Sequence, residues 1–345
     1  MQKKILTEVA IIRPILIVLL VFYHAFAPYS GGWAPIEGFP EIPAYWWMDK
    51  LSYFFMLEMF VFLSGYVFGY QVRTKGEVKL VFKSLFLSKF KRLMIPCMIF
   101  SVFYILLFRD MAQMGPYDLL NGIISGTGHM WFLPMLFVCF MAIWLIEKMH
   151  ISPKIVLPVL FLAAMLPIKV LPLHAGHSVY YMFWFYLGYV IQRKDIQLRQ
   201  YYTPQKVAFL AAVFVVLFPI VTLFDNDSIA SIGGGSLELL LKLLRSGLSI
   251  VAKTIGIFML LCLIGMKERN RQSEMPNWII KIGGLCMGVY LFQQFVLKVL
   301  YDFTILPEYL GPFVLPWAGF VIALTGSLIL TYLLQKIKLG RFILG

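Results

Sequence analysis

Charged residues are scarce in this sequence. They make up 14% of its 345 residues, whereas hydrophobic residues make up 61% and the mean hydropathy is +0.83. A water-soluble core of this size could not hide so much apolar side chain, which excludes an ordinary soluble enzyme. At about 20 residues per membrane crossing, roughly ten helices would occupy nearly the whole chain. We therefore expect one transmembrane domain over residues 1–345, with the lipid bilayer as its solvent.

Acidic residues and cysteines are also few. The 17 Asp and Glu against 30 Lys and Arg give a formal charge of +13. Nucleic-acid binding would require the basic residues to form one exposed patch, but they lie in short loops between apolar runs, so no nucleic-acid partner is expected. The four cysteines lie within apolar runs and form neither a disulfide framework nor a zinc pattern. No metal site is expected.

The apolar runs predict an all-α, polytopic bundle of about ten membrane-spanning helices. Their approximate bounds are 11–30, 51–71, 93–108, 129–146, 155–171, 178–191, 207–224, 237–265, 277–300 and 314–334. Basic residues test this division, because they concentrate in cytoplasmic loops. The N-terminus, the tail and every second loop hold 21 Lys and Arg, whereas the other loops hold two basic residues and nine acidic ones. This pattern predicts that both termini are cytoplasmic.

Arg13 and His24 lie inside the first predicted span, where a charged residue costs about 2.5–3.5 kcal/mol at mid-helix. They are eleven residues apart, which places them about 20° from the same helical face and about 16 Å apart along the axis. A guanidinium at the cytoplasmic mouth suits an anionic ligand such as phosphate. An imidazole deeper in the membrane suits proton transfer. A structural histidine bonded to a backbone carbonyl is the alternative for His24.

Glu58 in the second span and Lys253 in the eighth also need partners. Glu58 could pair with His24, which would orient the ring and raise its basicity, or with Arg13 or Lys253 in a structural role. Lys253 lies within one helical stripe with Lys242 and Arg245. That stripe could bind an anionic acceptor or brace neighbouring helices, and the sequence leaves both alternatives open.

Six stretches, in order, resemble the acyltransferase 3 family of integral-membrane acyltransferases. They are RPILIVLLVFYH (Arg13 to His24), FVFLSGYVFG (Phe60 to Gly69), KFKRLMIP (Lys89 to Pro96), GHMWFL (Gly128 to Leu133), FYLGYVI (Phe185 to Ile191) and GGLCMGVYLFQ (Gly283 to Gln293). The resemblance covers about residues 5 to 335. The chain departs from the family at Gln293, where a histidine is common, which removes the basis for a titrating group there.

The resemblance implies a stand-alone, multi-pass O-acyltransferase of the inner membrane of a bacterium. Such an enzyme moves an acyl group, usually acetyl, from a coenzyme A thioester on the cytoplasmic side to a hydroxyl of a cell-envelope carbohydrate or lipid-linked sugar. We predict His24 as the general base and include Arg13 and Glu58 among the catalytic residues. The phosphates of acetyl-CoA would bind Arg13, Lys89, Lys91 and Arg92, although ordinary cytoplasmic anchoring also explains the last three.

The predicted substrate-binding residues are His129, Trp131, Tyr290, Gln293 and Lys253. The first three also carry polar atoms that could donate to the oxyanion of the reaction, as the resemblance implies. An interfacial aromatic position is the alternative for His129 and Trp131. A transporter or flippase of a lipid-linked sugar or acyl donor is the alternative function, because charges within spans would serve it equally well. No internal inverted repeat supports that alternative.

Overall fold

The computed structural model of the chain describes residues 6–166, 174–198, 202–224, 229, 235–269 and 276–344. In these ranges the regular secondary structure is helical, which confirms the predicted all-α class. The α-helices are α1 (Thr7–Phe26), α2 (Pro43–Tyr53), α3 (Met56–Lys75), α4 (Phe82–Lys89), α5 (Ile95–Phe108), α6 (Pro116–Ser125), α7 (Phe132–Lys148), α8 (Pro153–Met165), α9 (Ala175–Arg193), α10 (Pro204–Leu223), α11 (Ser236–Arg269), α12 (Asn277–Asp302), α13 (Leu306–Lys336) and α14 (Lys338–Ile343).

Eight helical stretches in the described ranges are long and apolar enough to cross a membrane. They match the first four and the last four predicted spans. The fifth predicted span overlaps α8, which is apolar but has only 13 residues, and positions 167–171 of that span lie outside the described residues. The sixth coincides with α9, whose 19 residues include four tyrosines and are less apolar than the eight. The chain is thus an integral membrane protein, while the count of ten spans and the cytoplasmic termini stay predictions.

The helices group into two compact units. Unit 1 consists of Met1–Val9, Leu57–Phe90 and Leu133–Glu274, and unit 2 of Ala10–Met56, Lys91–Phe132 and Met275–Gly345. Unit 1 therefore holds nearly all of α3 together with α4 and α7 to α11. Unit 2 holds nearly all of α1, together with α2, α5, α6 and α12 to α14. The prediction of a single domain is not tested by this grouping.

In unit 1, α3 and α9 approach each other closely at glycines. A Cβ atom at Gly65 would collide with the backbone carbonyl of Phe185, and one at Gly69 with that of Tyr189. Packing and hydrogen bonds drive helix association in a membrane, and small residues let two backbones come close. The Ser-Gly-Tyr stretch that begins at Ser64 therefore serves helix packing.

In unit 2, α12 packs along α13, and the absence of a side chain at Gly288 leaves room for Thr331. The helix α13 is kinked at Gly311, which has a φ of 61°. The Tyr301 hydroxyl of α12 donates a hydrogen bond of 2.7 Å to the carbonyl of Ala25. This bond fixes the C-terminal end of α1, which is the end that carries the predicted base.

Candidate active site

His24 lies in the last turn of α1, two residues before the helix ends at Phe26. The side chain is buried, with 7% of its surface exposed. Its ring packs near Trp33, with ring centroids 5.9 Å apart, and near His129, with centroids 6.2 Å apart. Trp33 comes from the segment that follows α1, so the chain turns back over the imidazole. The result is an enclosed, largely aromatic environment around one titratable group.

Two side chains at this place keep polar atoms without partners. Within the described residues, Nδ1 of His24 and both side-chain polar atoms of Gln293 form no hydrogen bond. The carbonyl of Leu20 and the amide of Gln293 lie near the imidazole without reaching hydrogen-bond geometry. A buried polar group left unpaired costs about 1–3 kcal/mol, and most such groups in proteins are paired. These atoms are therefore the ones available to a polar ligand.

His129, in contrast, is held on every side. Its ring nitrogen Nδ1 and its backbone N–H both bond to Oε1 of Gln294, the latter at 3.0 Å. Its Nε2 lies 3.2 Å from the carbonyl of Leu291, and its own carbonyl accepts a bond of 2.5 Å from the hydroxyl of Tyr290. Both ring nitrogens face oxygen atoms, and a neutral imidazole carries one N–H, so the neutral ring donates to one of these two oxygens. The imidazole is oriented by these surroundings. The ring of His129 is thus held in one orientation relative to the ring of His24, at an interplanar angle of 65°.

The loop before His129 depends on glycine. Gly126 and Gly128 have φ values of 87° and 62°, which are in the left-handed region that disfavours residues with a Cβ atom. A Cβ atom at Gly128 would also lie 3.0 Å from Oε1 of Gln294 and 2.7 Å from the ring of Tyr104. The Gly-Thr-Gly-His sequence is therefore what lets the Gln294 amide reach the backbone and ring of the histidine.

Tyr290 and Trp131, both predicted as possible oxyanion donors, have different surroundings. The Tyr290 hydroxyl donates its hydrogen to the carbonyl of His129, so in this geometry it is not available to a substrate oxygen. Trp131 is half-buried and packs edge-on against Phe132, with ring centroids 6.1 Å apart. Tyr290 therefore acts as a brace for His129.

At the other end of α1, Arg13 is half-buried and lies within electrostatic range of Arg92. Arg92 and Lys91 are exposed and belong to a π-helical turn, Phe90–Met94. Pro96 has no N–H to offer the carbonyl of Arg92, which favours such a widening of the helix. In the described part of the chain, neither guanidinium forms an ion pair with a carboxylate. Two like charges brought together in this way suit an anionic ligand.

Lys89, predicted as a third phosphate ligand, contacts aromatic rings. Its ammonium lies 3.7 Å from the ring centroid of Phe140 and 5.3 Å from that of Phe68, all within unit 1. Cation–π contacts of this kind stabilise a lysine by about 0.5–2 kcal/mol. The structure therefore brings Arg13 and Arg92 together in unit 2 and gives Lys89 a packing role in unit 1.

Glu58 pairs with Lys253, which is the structural alternative among its predicted partners. In unit 1 the Lys253 ammonium lies 2.6 Å from Oε1 of Glu58 and 2.9 Å from the hydroxyl of Tyr180. The Tyr180 hydroxyl donates to the same carboxylate at 3.1 Å. Glu58 is 2% exposed, and its buried charge is compensated by these two partners. These contacts brace α3, α9 and α11, while the catalytic role of Glu58 and the substrate-binding role of Lys253 stay predictions.

Comparison with known proteins agrees with the motifs along the chain. The family model described as an acyltransferase domain (Acyl_transf_3) matches residues 7–336. The chain belongs to the acyltransferase 3 family. No curated protein and no solved structure matches it. Together with its apolar helices, this membership makes the protein an integral-membrane acyltransferase.

Sequence reasoning missed Gln294, although it had singled out the neighbouring Gln293. A signal was present, because an amide inside an apolar span needs a hydrogen-bond partner, and the sequence has two in succession. Which of the two is paired depends on the helix face that meets His129. In this acyltransferase, Gln294 faces and bonds it, and Gln293 is left beside His24.

The cysteines of the acyltransferase are free thiols. Cys97, Cys139 and Cys262 are buried, as expected from their apolar surroundings, and Cys286 is half-buried within electrostatic range of Arg13. Among the described residues, no group of three or more His, Cys, Asp and Glu is arranged to hold a metal ion.

Proposed function

We propose that this membrane acyltransferase transfers an acyl group, most simply acetyl, from acyl-CoA to a hydroxyl of a cell-envelope carbohydrate or lipid-linked sugar. The observation that carries the proposal is the buried His24, with an unpartnered ring nitrogen, at the far end of α1 from a pair of guanidinium groups. The helix itself separates the two groups by about 16 Å. That arrangement fits a donor with phosphates at one end and a thioester at the other.

The donor end of the proposal rests on Arg13 and Arg92. Coenzyme A carries several phosphate charges, and arginine binds phosphate with two parallel hydrogen bonds. Repulsion between the two guanidinium groups is relieved when a phosphate lies between them. The thin pantetheine arm then runs along α1 toward His24. The adenine-nucleotide end stays at the exposed π-helical turn Phe90–Met94, where Lys91 adds a third cation.

The reaction itself needs a proton acceptor and an environment without water. The acceptor hydroxyl oxygen attacks the thioester carbonyl carbon while its proton passes to the imidazole of His24, and a new C–O ester bond forms as the C–S bond breaks. The proton then moves from His24 to the coenzyme A sulfur, which leaves as a thiol. A positioned base of this kind contributes about 10²–10⁴-fold to the rate.

Gln293 is the proposed oxyanion donor. Its side-chain amide is fully buried next to His24 and has no hydrogen-bond partner among the described residues. An amide N–H held in this way stabilises negative charge without reorganisation, and removal of one such donor typically costs about 10²–10³-fold. The histidine common at this position in the family would offer a ring N–H in its place.

Acyl transfer can be tested with the full-length protein in lipid nanodiscs. Radiolabelled acetyl-CoA is added together with de-esterified envelope glycans, and we expect label in the glycan fraction that alkaline hydroxylamine releases, as it does from an oxygen ester. A parallel reaction with free acetate in place of acetyl-CoA serves as the control. Label that stays entirely in the donor, or that appears as a hydroxylamine-resistant amide, would refute O-acyl transfer.

A further inference from the structure

A cleft lies in unit 2 beyond the end of α1, formed by the segment that joins α1 to α2 and by the first turn of α2. We call it the outer cleft. It has a volume of about 520 Å³, and its lining includes Pro28, Tyr29, Ser30, Phe39, Glu41 and Trp46. Sites for small ligands have volumes of about 300–1,000 Å³, so one or two sugar rings fit this space.

Hydrogen bonds to other parts of unit 2 hold the cleft in shape. Tyr29 donates to the carbonyl of Pro312 at 2.5 Å, and Tyr45 donates to that of Phe313 at 2.8 Å, both next to the kink of α13. Lys50 donates to the carbonyl of Ser30 at 3.0 Å. These bonds tie the segment at both of its ends, so the cleft is formed before a ligand arrives.

The lining combines an aromatic surface with hydrogen-bonding groups. Trp46 is half-buried, and its ring meets that of Trp47 at right angles, with centroids 5.0 Å apart. Glu41 and Ser30 both line the cleft, where Glu41 is exposed and Ser30 is buried with its hydroxyl donating to the carbonyl of Ala27 at 3.3 Å. A flat indole face beside a carboxylate and a hydroxyl suits a ligand with apolar C–H faces and many hydroxyl groups.

The charge around the outer cleft restricts the ligand further. Glu41 lines the cleft, and Glu37 belongs to the same segment. The ammonium of Lys50 donates to the carbonyl of Ser30 and lies 5.4 Å from the ring centroid of Trp46, so a positive charge stands beside the same surface. Neither sign of charge dominates, which favours a neutral sugar over a phosphate or another anion.

The outer cleft begins close to His24 along the chain. Pro28 follows His24 by four residues and lies in the helical turn Ala27–Tyr29, which extends α1 by about 6–8 Å beyond the imidazole. The distribution of basic residues predicts that this segment lies on the side of the membrane opposite to Arg13. A sugar in the cleft therefore approaches the imidazole from the end of α1 opposite to that of the donor phosphates.

From this geometry we infer that the outer cleft is the acceptor site, and that it binds a neutral, hydroxyl-rich sugar residue of an envelope glycan with Trp46 against the sugar ring and Glu41 accepting its hydroxyl hydrogens. The inference rests on the proposed acyl transfer for its functional meaning. The binding itself does not depend on acyl-CoA. It can therefore be measured separately from the reaction.

The test uses a neutral methyl glycoside that carries a photoreactive diazirine, with the full-length protein in nanodiscs and no acyl donor. After irradiation, peptide mass spectrometry should place most of the label within residues 28–46, and excess unmodified methyl glycoside should compete. Trp46→Ala should lower labelling of this segment at least fivefold. Trp278→Ala is the matched control, since Trp278 is exposed and does not line the cleft. This variant should be labelled as strongly as the unmodified protein.

Further measurements separate this inference from the proposed reaction. Glu41→Gln, which alters an exposed side chain, should raise KM for the glycan acceptor and leave KM for acetyl-CoA unchanged. Label spread evenly over the chain, or equal labelling by a diazirine derivative of glucose 6-phosphate, would overturn the neutral-sugar site even if acyl transfer occurs. If the cleft is labelled but the protein shows no transfer activity, the sugar site is supported and the proposed reaction is refuted.

Discussion

Two clusters of buried polar side chains differ in how completely their hydrogen bonds are satisfied. The Glu58 cluster of unit 1 consists of Glu58, Tyr180 and Lys253, and every charge in it has a partner. The His24 cluster of unit 2 consists of His24, His129, Tyr290, Gln293 and Gln294. There, both ring nitrogens and the backbone N–H of His129 contact oxygen atoms, whereas His24 and Gln293 keep polar atoms without partners in the described residues.

This difference indicates that the Glu58 cluster stabilises the fold and that the His24 cluster is a functional site. A polar residue inside a span is a candidate for function because it is costly in lipid, but cost alone does not distinguish the two clusters. In the Glu58 cluster the cost is offset locally by an ion pair and two hydrogen bonds. In the His24 cluster, part of the free-energy cost of burying polar atoms is not offset, which is typical of sites whose polar groups bind a ligand. We expect substitutions in the first cluster to lower stability and substitutions in the second to lower activity.

The largest effect on activity is expected at His24. His24→Ala should lower acyl transfer by about 10²–10⁴-fold, because the hydroxyl loses its proton acceptor. Tm should also fall, because truncation of this buried ring leaves a cavity, so turnover is expressed per folded molecule. Turnover with radiolabelled acetyl-CoA and Tm by differential scanning fluorimetry give the two readouts. His150→Asn, at an exposed histidine with positive φ, is the control, and transfer at the normal rate by His24→Ala would exclude His24 as the base.

The Glu58 cluster should respond in the opposite way. Glu58→Gln leaves the Lys253 ammonium unpaired in a buried position, which costs about 3–5 kcal/mol of stability. We expect a clear fall in Tm with unchanged turnover per folded molecule. The double variant Glu58→Gln, Lys253→Met should recover much of the stability because no charge is left unpaired. A fall in turnover at unchanged Tm would instead restore a catalytic role for Glu58.

A smaller effect is expected at the donor end of α1. Arg13→Gln removes one charge-assisted contact, commonly about 1.5–3 kcal/mol, and should raise KM for acetyl-CoA about tenfold or more. In this variant, KM for acetyl-CoA should also depend less strongly on salt concentration. Lys89→Gln is the matched control, because its ammonium contacts Phe140 and should affect stability only. Equal changes in KM for the two variants would mean that general cytoplasmic charge attracts the donor.

The finest comparison uses two neighbouring glutamines. Gln294→Leu removes the bonds that hold His129, about 0.5–1.5 kcal/mol each, and should lower Tm. Gln293→Leu removes an amide that has no bond, so Tm should stay or rise while turnover falls. Both variants are measured by scanning fluorimetry and by acyl transfer in the same nanodiscs. A lower Tm for Gln293→Leu alone would reverse the assignment of the two side chains.

Much of the fold could be predicted from the sequence, because the solvent of the protein is lipid. Runs of about 20 apolar residues gave eight of the helices directly, since a helix is the only open structure that satisfies its backbone hydrogen bonds there. The short α8 and the tyrosine-rich α9 fit that rule less well. The π-helical turn Phe90–Met94 was not predicted, because the pattern of apolar residues does not reveal one wider turn within a helix.

The site was predicted only in part, and particular residues show why. Spacing along one helix placed Arg13 and His24 on a common face, because both belong to α1. Spacing could not decide whether Glu58 meets His24, Arg13 or Lys253, since those residues come from different helices. Nor could it distinguish Lys89, which packs on Phe140, from Arg92, which lies near Arg13.

By itself, the sequence determined that the chain is a helical membrane protein, that one helix carries a cation and an imidazole along a single stripe, and that six motifs follow a family order. These features depend on composition and on distances of a few turns, which the geometry of one helix sets. Only the tertiary structure decided which buried polar atoms are paired and which stay open. Pairing depends on contacts between helices far apart in the chain, where a shift of one residue exchanges Gln293 for Gln294.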